Sequence, residues 1–218
     1  MERLLMILLF LFPIATFATD NASSLPLATG TTWIYEARLT RDVDGKEQNR
    51  TLTWTTTITT MLVGDQLVVA KGTGFPSDLP FLENDAKPSP FLLVKVGLWR
   101  IYIIQNTEKI EEVWNKAVAG ESLSDSITEG DLLLEFPLIE GRTYGETTQL
   151  LSGTPKFLYE VQGPASASSK DIAINFSTNA DLTTWKYTDG IGFTGYSYRH
   201  HGSTSNVDCE LKEFRPGT

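Results

Sequence analysis

The stretch Trp33-Ile-Tyr-Glu-Ala-Arg-Leu-Thr40, then Asp44-Gly45, then Thr51-Leu-Thr-Trp-Thr-Thr-Thr-Ile-Thr-Thr-Met-Leu62 decides the fold class. In the first segment Trp33, Tyr35, Ala37 and Leu39 alternate with Ile34, Glu36, Arg38 and Thr40. Successive strand side chains point to opposite faces, so a period of two marks one buried and one wetter face. Asp44-Gly45 is a hairpin pair, because both residues tolerate the positive φ that such turns need. In the second segment Leu52, Trp54, Ile58 and Leu62 share a face and threonines crowd the other. Threonine is β-branched and polar, which suits a long strand with a solvated side. Gly64-Asp65 then turns the chain into Leu67-Val-Val-Ala70, giving a three-strand meander.

Further along, Pro76, Pro80, Pro88 and Pro90 break the rhythm around Glu83, Asn84 and Asp85, and 75–90 reads as a long loop. Strands resume at 91–96 and 98–105. Ile110, Val113, Trp114, Ala117 and Val118 then fall at helical spacing, with Thr107 as the expected cap and Gly120 as the stop. A hairpin through Asn106-Thr107 is the competing reading, and the helix is preferred. Strands return at 132–136, 156–162, 171–176, 182–187, 192–201 and 207–214. The small-residue run 165–169 reads as a loop rather than a linker. The expected fold is all-β, or β-dominated α+β with one short helix: an antiparallel meander forming a barrel-like or strongly curved sheet.

Pro26-Leu-Ala-Thr-Gly-Thr-Thr-Trp33 and Pro137-Leu-Ile-Glu-Gly-Arg-Thr-Tyr144 share Pro, Leu, Gly and Thr and each end in an aromatic. Two readings are open: two similar halves, about 26–130 and 137–218, or a recurrent way of starting a strand. Either way 19–218 is expected to be a single β-rich domain.

Residues 1–18 read as a signal peptide. Arg3 precedes an apolar run from Leu4 to Phe12, Pro13 ends it, and Thr16 and Ala18 supply small side chains before the cut. The run is shorter than the roughly 20 residues a bilayer span needs. The chain is therefore expected to be exported, to the periplasm or the extracellular space, with its mature start near Thr19 and no membrane span. No cysteine stands at that cut, so lipid attachment there is not expected.

Cleavage removes Glu2 and Arg3 together, so the net charge stays at -9. With a pI near 4.7 and no basic run, nucleic acid and anionic membrane surfaces are excluded as expected partners. Cys209 is the only cysteine, so no disulfide forms within the chain, and its alternation with Val207 and Leu211 predicts a buried, unreactive thiol. Asn21, Asn49 and Asn175 stand in N-x-[ST] triplets, which matter only in a glycosylating host.

The densest cluster of chemical groups is Tyr196-Ser-Tyr-Arg-His-His-Gly202 followed by Asp208 and Glu210. Neighbouring strand residues face opposite ways, so His200 and His201 cannot chelate one ion together. A hairpin through Gly202-Ser203 is expected to put His200 on one face with Tyr198, Asp208 and Glu210, a candidate catalytic set for a hydrolase or metal-dependent enzyme. The bland alternative is a structural His–carboxylate pair. No nucleophile elbow, phosphate cradle or complete calcium loop is present, and no cofactor or metal is expected. Aromatic residues form the other candidate. Trp33, Tyr35, Trp54, Trp99 and Tyr198 are the expected ligand-binding set if a cupped sheet leaves a cavity, against the plainer reading that they fill the core.

Pro26-Leu-x-x-Gly30-x-x-Trp33-x-Tyr35 and Gly190-x-Gly192-Phe193, with Tyr198, Glu210-Leu211 and Phe214, resemble exported, β-rich bacterial proteins of uncharacterised function. That resemblance implies an all-β fold and bacterial export and carries no catalytic residue across. Gly97-x-Trp99 is similar to the lipocalin signature but sits mid-chain instead of on the first strand. The functional expectation is a non-enzymatic exported domain that binds a hydrophobic small molecule or a cell-envelope component. The rivals are the enzyme above and a structural or adhesive module with flat aromatic patches and free edge strands.

Overall fold

Strand β1, Thr32–Val43, pairs along its whole length with β2, Lys46–Val63, through the Asp44-Gly45 turn. Asp44 and Gly45 both carry positive φ, 54° and 73°, as the sequence predicts. The computed structural model describes residues 25–81, 87–149, 155–164, 170–178, 180–202 and 205–218, and the expected signal peptide lies outside them. The meander continues through β3 (Leu67–Thr73), β4 (Pro90–Val96), β5 (Arg100–Ile104) and β6 (Leu132–Glu135). It resumes with β7 (Thr143–Gln149), β8 (Pro155–Pro164), β9 (Ile172–Ser177), β10 (Asp181–Thr188), β11 (Gly192–His200) and β12 (Ser205–Arg215). Each strand pairs antiparallel with its chain neighbour, and β12 returns to pair with β1. The result is one twelve-stranded, nearly closed barrel whose open seam lies between β6 and β7.

The alternation read in the sequence becomes the inside and outside of this barrel. Trp33, Tyr35, Ala37 and Leu39 are buried, as are Trp54, Thr56 and Ile58. The register carries one inner row across the sheet: Leu39, Val207, Tyr198, Thr183, Phe176, Tyr159 and Tyr144 are successive cross-strand partners. Burial pushes the Cys209 thiol up to about 12, so it stays protonated and inert in the core.

Residues 91–94 are buried without alternation, as are 132–134. Helix α1, Thr107–Val118, packs on β4 and explains the pattern at 91–94, since a strand covered on both faces needs no polar side. Its buried residues Ile110, Val113 and Ala117 are those of the predicted helical spacing, and the hairpin reading falls away. The cap is Asn106 and not Thr107. The Asn106 side chain accepts from the Lys109 backbone N–H at 3.0 Å, one residue earlier than expected. Lys71 on β3 lies 4.8 Å from the Trp114 ring centre and bonds Glu111, tying the helix to the sheet.

The loop expected over 75–90 is in part a structured plug. A 3-10 turn, Pro76–Phe81, buries Pro76, Leu79 and Pro80 against β11 and β12, while Glu83, Asn84 and Asp85 lie outside the described residues. Antiparallel order sorts the connections between two ends. The upper end carries the β1–β2 turn, the plug, the start of α1 and the β9–β10 and β11–β12 turns. The lower end carries the β2–β3, β4–β5, β6–β7 and β10–β11 turns and the approach to β1.

The two matched sequence segments lead into β1, in the middle of the sheet, and β7, at its edge. Gly30 and Gly141 adopt φ of 87° and 80°, the left-handed region that glycine tolerates best. Gly30 donates to the Ile58 carbonyl at 2.8 Å and Gly141 to that of Val161 at 2.9 Å. Ile58 and Val161 donate back to Thr31 and Arg142, at 2.9 and 2.8 Å.

Candidate functional site

The upper half of the barrel holds a cavity of about 280 Å³ lined mainly by aromatic and aliphatic side chains. Its inner walls are built by the β10–β11 hairpin. The register sets Trp185 against Tyr196, Thr183 against Tyr198 and Asp181 against His200, each pair on the inward face. The rows continue onto Phe176 of β9 and Tyr159 of β8. Phe75 enters from the loop after β3 and meets the rings of Phe91, Trp185 and Phe193 at 5.2, 5.1 and 5.4 Å. Trp185 and Tyr196 stand 4.5 Å apart, centre to centre, and Tyr159 meets Phe176 at 5.0 Å. Phe81, the most exposed large apolar residue described, stands at the mouth 6.2 Å from Tyr198.

Phe75 is placed by the residue before it. The Gly74 carbonyl accepts from Trp54 Nε1 at 2.8 Å and also from the Thr56 hydroxyl. Both donors are buried on the inner face of β2, the strand that pairs with β3, so the chain leaving β3 is fixed to its neighbouring strand.

The carboxyl, imidazole and amide groups stand at the rim. Asp181 Oδ1 accepts from the Tyr198 hydroxyl at 2.6 Å and lies 2.7 Å from His200 Nδ1. Burial alone raises the Asp181 carboxyl, but the Tyr198 and His200 hydrogen bonds outweigh it and hold it below the usual carboxylate range. The same contact, added to burial, pushes the Tyr198 hydroxyl up to about 12, so it remains a donor at neutral pH. Across the mouth, Ser77 donates to Gln105 Oε1 at 3.1 Å and Gln105 donates to Asp78 Oδ1 at 3.0 Å. Burial leads the causes that raise the Asp78 carboxyl, against donation from Ser89 and Gln105. A surface of this kind offers mainly apolar contact inside and places its carboxyl, imidazole and amide groups at one end.

The proposed catalytic set does not assemble. The register pairs Tyr198 with Val207 and Ser197 with Asp208, one residue out of step with the sequence expectation. His200 therefore shares the inner face with Tyr198, whereas Asp208 and Glu210 point outward. Asp208 bonds Arg199 at 2.5 Å, and Glu210 lies 3.9 Å from Lys212. Among the described residues no group of three His, Cys, Asp or Glu side chains is placed to hold a metal.

Of the five aromatic residues expected to bind a ligand, Tyr198 alone lines the cup. Trp33, Tyr35 and Trp54 are core residues whose polar atoms are spent inside: Trp33 Nε1 donates to Ile191 O at 2.6 Å and Tyr35 donates to Phe193 O at 2.8 Å. Trp99 lies at the opposite end, in the β4–β5 turn. Asp181, Phe75, Tyr159 and Phe176 were not in the expected set. Counting outward from the Asp189–Gly192 turn would pair Asp181 with Arg199; the bulge between Lys186 and Tyr187 shifts the ladder by one and brings Asp181 opposite His200, so the sequence carried no direct signal for it.

No protein-family model matches the chain, and no match is found among curated proteins. Two solved structures are similar in outline. One is a candidate exported protein with a YmcC-like fold from Bacteroides fragilis: TM-score 0.44, 11% identity, covering 89% of this chain and 99% of that one. The other is a candidate lipoprotein from Parabacteroides distasonis: TM-score 0.39, 10% identity, covering 90% of this chain and all of that one.

Proposed function

We propose that the protein is an exported, non-enzymatic β-domain that takes an apolar small molecule into the aromatic cup at the upper end of its barrel. The observation that carries this reading is the cavity itself, about 280 Å³, with Trp185, Tyr196, Phe75, Tyr159 and Phe176 on its walls. That volume is close to the lower end of ordinary small-ligand pockets, about 300 Å³, so the fitting molecule is small or inserts only part of its length. Transfer of its apolar surface from water onto the rings supplies the affinity. The Asp181–Tyr198–His200 cluster and Gln105 supply orientation, favouring a ligand whose polar end stays at the mouth. Export rests on the basic residue, apolar run and small-residue cut of 1–18.

The test is a fluorescence titration with N-phenyl-1-naphthylamine, a neutral apolar dye that brightens out of water. Saturable binding is expected. Thr183 lines the cup between Trp185 and Asp181, so Thr183→Phe fills it; losing one ring's worth of burial weakens binding about tenfold or more. Circular dichroism and the melting temperature check that this variant folds. Absence of saturable binding by the wild-type chain, or equal binding by a folded Thr183→Phe chain, contradicts the reading.

A further inference from the structure

Seven of the thirteen residues that line the cup are aromatic, and only one, Asp181, carries a charge. No lysine or arginine lines it. Burial pushes the Tyr159 and Tyr196 hydroxyls up, so both stay neutral phenols beside that one carboxylate. The donors at the mouth are already engaged. The Tyr198 hydroxyl goes to Asp181 Oδ1, the Ser77 hydroxyl to Gln105 Oε1, and the Gln105 amide to Asp78 Oδ1. His200 also meets Asp181 at Oδ1. The Asp181 side chain is 31% exposed, and among the described residues nothing hydrogen-bonds its Oδ2. Asp78, behind Gln105, sets a second carboxyl near the same mouth. Arg41 reaches the plug, where its guanidinium is taken up by the Leu79 and Pro80 carbonyls.

We propose that the head group the cup accepts is a cation: an alkylamine in its ammonium form, with its chain among the rings and its nitrogen against Asp181. This rests on the reading of the cup as a ligand site and names the chemistry of the ligand's polar end. A carboxylate or phosphate head needs donors at the mouth, and it meets Asp181 instead. An alcohol uses one acceptor and gains nothing from the charge. An ammonium brings both missing parts, hydrogen bonds for Oδ2 and a counter-charge. The carboxylate is there to receive it: against the opposing effect of burial, the Tyr198 and His200 hydrogen bonds hold the Asp181 carboxyl below the usual range, so it is charged at neutral pH. The rings add to the attraction. An aromatic face carries negative potential, and Phe81 and Tyr198 stand 6.2 Å apart at the entry.

The experiment is a titration of residues 19–218 with three six-carbon probes, hexylammonium, 1-hexanol and hexanoate, following the Trp185 indole signal by NMR. Hexylammonium is expected to bind about tenfold more tightly than 1-hexanol, and hexanoate more weakly than either. The order is diagnostic, because an alcohol leaves water more readily than an ammonium and uptake by the rings alone gives the reverse. A chain of net charge -9 also draws cations to its surface at large, and Asp181→Asn separates that effect from the site. In that variant the ammonium preference over alcohol is expected to vanish, while circular dichroism checks the fold. If 1-hexanol binds saturably and matches or outdoes hexylammonium, the cation is overturned and the cup stands. If no probe binds, both fall. Tightest binding by hexanoate assigns the head group to His200 and overturns the proposal, as does an undiminished ammonium preference in a folded Asp181→Asn chain. Should that variant not fold, the order of the three probes on the wild-type chain decides alone.

Discussion

Gly74 shows how much a single backbone unit carries. Its carbonyl gathers Trp54 and Thr56, its φ is 77°, and a Cβ there would come within 2.2 Å of the Thr55 carbonyl oxygen. A side chain therefore brings both left-handed strain and a clash with backbone that cannot move aside. Gly74→Ala should destabilise the protein by about 2 kcal/mol or more, read as a lower urea midpoint with unchanged slope. Asp181 makes a different kind of prediction. Its carboxyl is held below its unfolded value of about 3.9, so it stabilises the fold above that pH and loses the contribution as pH falls through the folded value. The melting-temperature gap between wild type and Asp181→Asn should therefore be present above about pH 4 and close as pH falls below it. A gap that keeps widening as pH falls below about 4 has the wrong sign. Residue type alone did not separate core from cup. Trp33, Tyr35 and Trp54 differ from Trp185 and Tyr196 only in what lies across the barrel, and a sequence pattern does not carry that information.

At the scale of elements, α1 is a short helix made stable by its attachments. Lys109 Nζ meets both oxygens of Asp131, at 2.9 and 2.7 Å, and Asp131 also accepts from the Thr128 N–H and hydroxyl at 2.8 Å each. This joins the first turn of the helix to the lead-in of β6. Burial works against the Asp131 charge, yet these donors together hold its carboxyl below the usual range. Asp131→Ala leaves Lys109 and the Thr128 donors without their acceptor and should cost about 1–3 kcal/mol, with faster amide exchange confined to α1 and the start of β6. Helix and strands were legible wherever a period was strong, as in β1, β2, α1 and β12. Strand β7 was not. Its Gly145 and Glu146 break any alternation, and the ladder with β8 slips between Tyr144 and Thr147, so pairing rather than pattern makes it a strand. The plug at Pro76–Phe81 was hidden for a similar reason: proline signals a loop, and the burial of Leu79 is decided by strands far along the chain.

For the whole molecule the least bonded place is the seam. Strands β6 and β7 each pair on one side only, and the Tyr144 hydroxyl reaches across to the Leu133 carbonyl at 3.0 Å. Glu135 adds a clasp, bonding Arg100 at 2.8 Å on one oxygen and Arg142 on the other. Hydrogen exchange should be fastest along β6 and β7 and slowest along β1 and its two partners. Tyr144→Phe should widen that contrast at a cost of about 1–2 kcal/mol, because the buried Leu133 carbonyl loses its donor. A meander curling toward closure was legible from strand count and turns; which two strands meet at the seam was not, since closure depends on the register of all twelve. The cup follows from that closure, and its use is the central claim. The most direct measurement is an NMR titration of residues 19–218 with N-phenyl-1-naphthylamine, following the indole signals of Trp185 and Trp99. The account predicts saturable shifts at Trp185 and its neighbours Tyr196 and Thr183, with Trp99 unmoved. Shifts centred on Trp99, or none at Trp185 up to the solubility limit of the dye, would contradict it.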